Sequence, residues 1–296
     1  MDKVKIGIPR ALTYYYFEHF WKYFFEKLDV DIVYSPETNI DILNRGIKIS
    51  NDEMCLSLKV YFGHIDYLKD KCNYILIPRI EDVGIDNQTC TNFLGLYDLV
   101  NNLFDVKILD YNIKGCNVLT ELIKMGTRIN LSSNDIENAY YYALRKCADY
   151  EKKQNELQYE VLNKANTHKV LLVSHPYNTY DNLIGKPIID ELKKYNLEII
   201  RCDKFDSKVT NQKALELSPN LYWKYSKEAI GSILLSEDVE GIIFLSSFPC
   251  GLDSLVNELV MRKINKPYLN IIIDDISSLT GIETRIESFV DIIYEN

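Results

Sequence analysis

At residues 4–34 the chain reads VKIGIPRALTYYYFEHFWKYFFEKLDVDIVY. Val4–Ile8 is a short apolar run typical of a buried strand, and a helix-length aromatic segment follows from about Ala11 to Leu28. Val30–Tyr34 is a second strand-like run. A strand, a helix and a second strand in this order predict neighbouring parallel strands joined by a crossover helix.

The same alternation continues along the chain and then starts again. Further predicted strands are Tyr74–Pro78, Val106–Leu109, Val170–Ser174, Leu197–Arg201, Val239–Ser246 and Pro267–Ile273. Between the two sets, residues 132–166 have the apolar spacing of one long, charged connector helix. We therefore predict an α/β fold of two Rossmann-like lobes with parallel sheets: an N-terminal lobe at residues 1–131 and a C-terminal lobe at residues 167–296.

Composition narrows the classes of function. The 296 residues carry a net charge of −9, which argues against binding to nucleic acid or to an anionic membrane. No apolar run is long enough to cross a bilayer and the first residues do not resemble a secretion signal, so we expect a cytoplasmic protein. In that compartment seven cysteines indicate metal binding, redox chemistry or burial rather than a disulfide framework.

Nucleotide motifs are missing from the sequence. It contains no GxxxxGK[ST] loop and no GxGxxG after a strand, so it has no recognisable ATP or NAD site of its own. HExxH and GxSxG motifs are also missing.

Three of the cysteines are predicted at similar places. Cys250 directly follows the strand GIIFLSS, Cys90 lies in the loop after the strand YILIPRI, and Cys55 opens a predicted helix. In open parallel sheets, ligands bind outside the carboxyl ends of strands, and a helix N-terminus favours the thiolate that binds metal. Burial as a small apolar side chain remains the alternative for each. The other four have different surroundings: Cys72, Cys116, Cys147 and Cys202.

Polar residues near the same strand ends are weaker candidates. His175 and Asp181 fall in one strand-end loop, and Asp253 follows Cys250 by three residues. These are candidate acid–base groups, although a helix cap or a loop contact is the favoured interpretation of each. Arg10 and Arg79 also end strands and could balance a negative charge there.

Several segments resemble the activase-related branch of the 2-hydroxyacyl-CoA dehydratase and benzoyl-CoA reductase superfamily. They are KIGIPRAL, DEMCLSLKVYFGHIDYL, YILIPRIED followed by CTNFLGL, VSHPYNTYDN, FPCGLDSLVNEL and IIIDDISSLTGIETRIESFVD. They span nearly the whole chain in the family's order.

The resemblance implies a cofactor and a partner. It implies a [4Fe-4S] cluster on Cys55, Cys90 and Cys250, in a cleft between the lobes, reduced by a separate ATP-dependent activase. The cluster would then serve the reduction or dehydration of a small molecule or an acyl-CoA. A non-catalytic electron-transfer or cluster-assembly module, a larger double-cubane cluster, and a cluster-free binding module stay open, as does a homo-oligomer.

Overall fold

The fold is seen in a computed structural model that describes residues 3–84, 87–275 and 279–295. The chain divides into two compact units, Met1–Tyr150 and Glu151–Asn296. The division falls within a single helix, Ser133–Leu162, in the region where the sequence predicts the connector. Among the described residues, no helix combines the length and the apolar character needed to cross a membrane.

The first unit contains a parallel four-stranded sheet in the order β2-β1-β3-β4. Its strands are β1 (Lys5–Ile8), β2 (Asp31–Tyr34), β3 (Tyr74–Ile80) and β4 (Ile108–Ile113). Its helices are α1 (Tyr14–Leu28), α2 (Ile40–Ile49), α3 (Leu56–Leu68), α4 (Thr91–Leu103), α5 (Val118–Thr127) and the first part of α6 (Ser133–Leu162).

The second unit repeats this arrangement with the order β6-β5-β7-β8, again parallel throughout. The strands are β5 (Lys169–Val173), β6 (Glu198–Arg201), β7 (Gly241–Ser247) and β8 (Tyr268–Ile273). The helices are α7 (Pro176–Thr179), α8 (Lys186–Lys194), α9 (Ser207–Leu217), α10 (Lys224–Gly231), α11 (Gly251–Met261) and α12 (Leu279–Glu295), with 3-10 turns at Cys202–Lys204 and Ser232–Leu235.

The predicted fold class is confirmed: both units are parallel α/β layers, and the predicted strands coincide with observed ones to within a few residues. Buried strands explain the continuous apolar runs, because every residue of β5 and of β7 is buried. The aromatic helix α1 turns Trp21, Phe24 and Phe25 inward, and the Trp21 ring meets Tyr111 of β4 at 4.9 Å between centroids.

Helices α2 and α3 cross at unusually short range. Both have a glycine at the crossing, Gly46 and Gly63. A Cβ atom on Gly46 would lie 1.8 Å from the carbonyl oxygen of Lys59, and one on Gly63 would lie 1.9 Å from that of Ile42. The two backbones therefore touch, and this contact fixes α3, whose N-cap residue is Cys55.

Candidate functional site

Each sheet has one place where a ligand crevice is expected. The strand order reverses between β1 and β3 in the first unit, and between β5 and β7 in the second. In doubly wound sheets the ligand binds outside the carboxyl ends of the strands at this switch point. In the first unit the starts of α1 and α4 approach each other there, since the rings of Tyr16 and Phe93 lie 6.2 Å apart.

The three predicted ligands all stand directly before a helix. Cys55 is the N-cap residue of α3, Cys90 of α4 and Cys250 of α11. Cys90 and Cys250 are also equivalent by topology, because α4 and α11 each follow the third strand of their unit. A helix N-terminus carries a partial positive charge, which stabilises a thiolate placed there.

Two of these sulfur atoms accept hydrogen bonds. The side-chain amide of Asn92, in the first turn of α4, donates to Cys55 Sγ at 3.7 Å. The backbone N–H of Asp253 donates to Cys250 Sγ at 3.4 Å. Hydrogen bonds donated to sulfur favour the thiolate, the form that binds metal. The Asn92 contact also brings Cys55 next to the start of the helix that Cys90 caps.

Two other cysteines donate hydrogen bonds to carbonyl groups and have raised pKa values. Cys202 Sγ donates to the carbonyl oxygen of Ser174 at 3.0 Å and accepts the backbone N–H of Ser174 at 3.4 Å, and burial raises the pKa of this thiol. Cys72 Sγ donates to the carbonyl oxygen of Leu68 at 3.3 Å, and burial raises its pKa as well. Both groups are therefore held as thiols, which suits packing better than metal binding. Cys116 is exposed, and Cys147 is half-buried within α6.

The two units divide the predicted ligands between them: Cys55 and Cys90 belong to the first unit, and Cys250 to the second. All seven cysteines lie in the described part of the chain as thiols. Among the described residues, no group of three or more His, Cys, Asp or Glu side chains is arranged to hold a metal ion.

A buried hydrogen bond between a histidine and an aspartate lies beside Cys250. His175, the N-cap residue of α7, meets Asp253 with 2.9 Å between Nε2 and Oδ1, and its ring stacks on Tyr177. Both partners are nearly inaccessible to solvent. Asp253 thus connects Cys250, through its backbone N–H, with His175, through its carboxylate.

The same two side chains line a small pocket at the switch point of the second unit. Its polar lining residues are Ser174, His175, Ser226, Asp253 and Asn257. The buried hydroxyl of Ser226 has no hydrogen-bond partner among the described residues. The sequence predicts that His175 and Asp253 lie near strand ends, but no pattern in it points to Ser226 or Asn257. Ser226 lines the pocket from α10, and Asn257 lines it from the second turn of α11.

Asp181, the third acid–base candidate, stabilises its own loop. Its Oδ1 accepts the backbone N–H groups of Leu183 at 2.8 Å and Ile184 at 3.1 Å. This is the local turn contact that short acidic side chains commonly make. We therefore assign Asp181 a structural role in this loop. The remaining acid–base candidates are His175 and Asp253.

His64 is a buried histidine inside α3. Its Nε2 lies 3.1 Å from the hydroxyl of Thr38. Burial, with a contribution from Arg10, lowers the pKa of His64 to about 3. The imidazole is therefore neutral in the folded chain.

We expect this histidine to make stability depend on pH. Below pH 6.5 the unfolded chain protonates His64 and the folded chain does not, so the free energy of unfolding falls as the pH is lowered. The loss at pH 5 is about 2 kcal/mol relative to pH 7.5. Urea unfolding at the two pH values measures it. His64→Gln should reduce the difference, whereas the exposed control His168→Gln should not. An unchanged difference in His64→Gln would show that His64 is protonated in the folded state.

Comparison with known proteins identifies the family of this chain. The fold and the cysteine positions define a parallel α/β protein of two units with thiols at helix starts. Residues 5–205 match the family model of the CoA enzyme activase uncharacterised domain (DUF2229). This match spans more than half of the chain, and the chain belongs to that family. No curated protein matches the sequence.

Solved structures resemble the chain only distantly. One is ZnuA, at 10% identity over 99% of both chains, with a TM-score of 0.27. A Zn(II)-bound variant of AdcAII from Streptococcus pneumoniae has 10% identity over 99% of this chain and 100% of its own, with a TM-score of 0.32. The periplasmic zinc binding protein TroA from Treponema pallidum has 9% identity over 99% of both chains, with a TM-score of 0.27. At TM-scores this low, the likeness gives no basis for inferring function.

Proposed function

We propose that the chain holds a [4Fe-4S] cluster on Cys55, Cys90 and Cys250 and works as a redox component similar to those of the 2-hydroxyacyl-CoA dehydratase and benzoyl-CoA reductase superfamily. Its electrons would come from an ATP-driven activase, a partner in keeping with the family to which the chain belongs. The observation that carries the proposal is the contrast between the cysteines. Cys55, Cys90 and Cys250 are each the N-cap residue of a helix. Burial raises the pKa of the Cys72 and Cys202 thiols, and both donate hydrogen bonds to carbonyl groups.

The donor set fits such a cluster. Thiolate sulfur is the usual ligand of iron–sulfur clusters, and N–H groups directed at the sulfur atoms tune their reduction potential. When bound through three thiolates, a cubane supplies low-potential electrons and one iron that is open to a substrate oxygen or sulfur.

The chain's own residues would support this role around Cys250. The Asp253 N–H holds the sulfur, and the His175 ring holds the Asp253 carboxylate in place. One proton lies in the hydrogen bond between His175 and Asp253, close to Cys250, where it could be passed to a substrate. Burial of both side chains keeps bulk water from this proton.

Iron and sulfide analysis of the anaerobically purified chain tests the proposal. We expect about four irons and about four sulfides per chain. About eight irons would instead favour the double-cubane alternative. A colourless chain that takes up no iron on anaerobic reconstitution would contradict the proposal and leave a binding module as the function of the fold.

A further inference from the structure

Arg10 follows β1 at the switch point of the first unit and is half-buried. Its backbone N–H donates to the hydroxyl of Ser35 at 2.9 Å, which ties it to the end of the neighbouring strand β2. Its guanidinium lies over the ring of Tyr34, 5.5 Å from the centroid. The charge is thereby held at the carboxyl edge of the sheet.

Tyrosines, a histidine and one nearby glutamate surround this guanidinium. Burial raises the pKa of both Tyr14 and Tyr34, so their hydroxyls stay protonated. His64, whose pKa is lowered partly by Arg10, is neutral too. The carboxylate of Glu18 hydrogen-bonds to Tyr14 and contributes to the raised pKa of both tyrosines, so it lies near the same rings, but no ion pair between it and Arg10 is found among the described residues. The Arg10 Nε is buried and has no hydrogen-bond acceptor in that part of the chain.

Some other arginines have carboxylate partners, although the Nε of Arg201 is also buried without an acceptor among the described residues. Arg45 lies 2.8 Å from Asp41 and 3.0 Å from Asp66, and Arg128 is paired with Asp110. Withdrawing a cation from water without a partner is costly, which makes an unneutralised guanidinium in a half-buried position a strong attractor for an anion.

Two further features of the same edge favour an anion. Arg79, on the adjacent strand β3, pairs with Asp98 through Nη2 at 2.8 Å, but its Nε is buried with no acceptor among the described residues. The first turn of α1 contains no acidic residue, and the first carboxylate along this helix is that of Glu18 in the second turn, so the positive helix end is only partly compensated.

We propose that Arg10 is the main contact of an oxyanion-binding site at the β1–β3 switch point. The ligand class is a small molecule with a phosphate or a carboxylate group. A guanidinium binds either the tetrahedral phosphate or the planar carboxylate through paired hydrogen bonds. This inference does not depend on the cluster, because anion binding and iron content are measured separately.

Titration calorimetry of the full chain tests the site, with sodium phosphate, sodium acetate and coenzyme A as separate ligands at constant ionic strength. We expect saturable binding of phosphate or acetate that Arg10→Gln weakens at least about tenfold, as for other charge-assisted hydrogen bonds. Arg45→Gln, an equal charge change at a paired arginine of the same unit, should bind as the wild type does. Competition by coenzyme A would identify a phosphate ester as the source of the oxyanion.

Arg10→Lys provides a second variant that keeps the charge and loses the paired geometry. It should bind with intermediate affinity. Binding that is equal in Arg10→Gln and the wild type would overturn the proposal, and so would no binding of any of the three ligands to the wild type. A changed cluster potential in Arg10→Gln without anion binding would also overturn it, and would assign the guanidinium to balancing the cluster charge.

Discussion

Replacing Gly63 by alanine is expected to lower the free energy of unfolding of the first unit by about 3 kcal/mol or more, which is the upper range for forced overpacking. The added methyl group would stand 1.9 Å from the carbonyl oxygen of Ile42, and the obstacle is backbone rather than a side chain that can rotate away. Gly46→Ala should act similarly, because its methyl group would meet the carbonyl oxygen of Lys59 at 1.8 Å. Urea unfolding followed by circular dichroism measures both.

Gly95→Ala is the matched control, since Gly95 lies in α4 with no described neighbour within 4 Å of an added Cβ. Alanine is the better helix former there, so this variant should be more stable than the wild type by about 0.5–1 kcal/mol. A Gly63→Ala variant as stable as Gly95→Ala would show that α2 and α3 do not touch. Since Cys55 is the N-cap residue of α3, a loosened crossing should also disturb that thiol.

Local patterns predicted much of this structure. Apolar runs located the strands because buried parallel strands leave no polar alternation, and the strand-end position of Cys90 and Cys250 followed from their neighbours in sequence. The contact of Gly46 with α3 was not predictable, because it depends on how two helices cross rather than on either helix alone.

Contacts between residues that are far apart in sequence could not be predicted either. His175 and Asp253 are 78 residues apart and meet only because β5 and β7 are neighbours in the sheet. Burial of the Cys72 and Cys202 thiols, and the carbonyl groups to which they donate, depend on atomic positions. From the sequence, the cysteines could be distinguished only by their place along the chain. Likewise, nothing local to Arg10 signals that it lacks a carboxylate partner.

The largest functional effect is expected from the three proposed ligands. Replacing Cys55, Cys90 or Cys250 by serine exchanges a soft thiolate for a hydroxyl oxygen that binds iron poorly. Each variant should lose most of its iron after anaerobic reconstitution, given that even residues outside the ligand set change metal affinity by about 10- to 100-fold. Circular dichroism checks that each variant remains folded.

The most direct test of the cluster proposal is the iron and sulfide content of Cys250→Ser and Cys147→Ser, reconstituted side by side without oxygen. Cys147 lies inside α6, away from any helix start, so its replacement should leave the iron content at the wild-type level. The account predicts a sharp loss of iron and sulfide in Cys250→Ser alone. Equal iron in the two variants would contradict it, because Cys250 would then be no more a ligand than a cysteine in the middle of a helix.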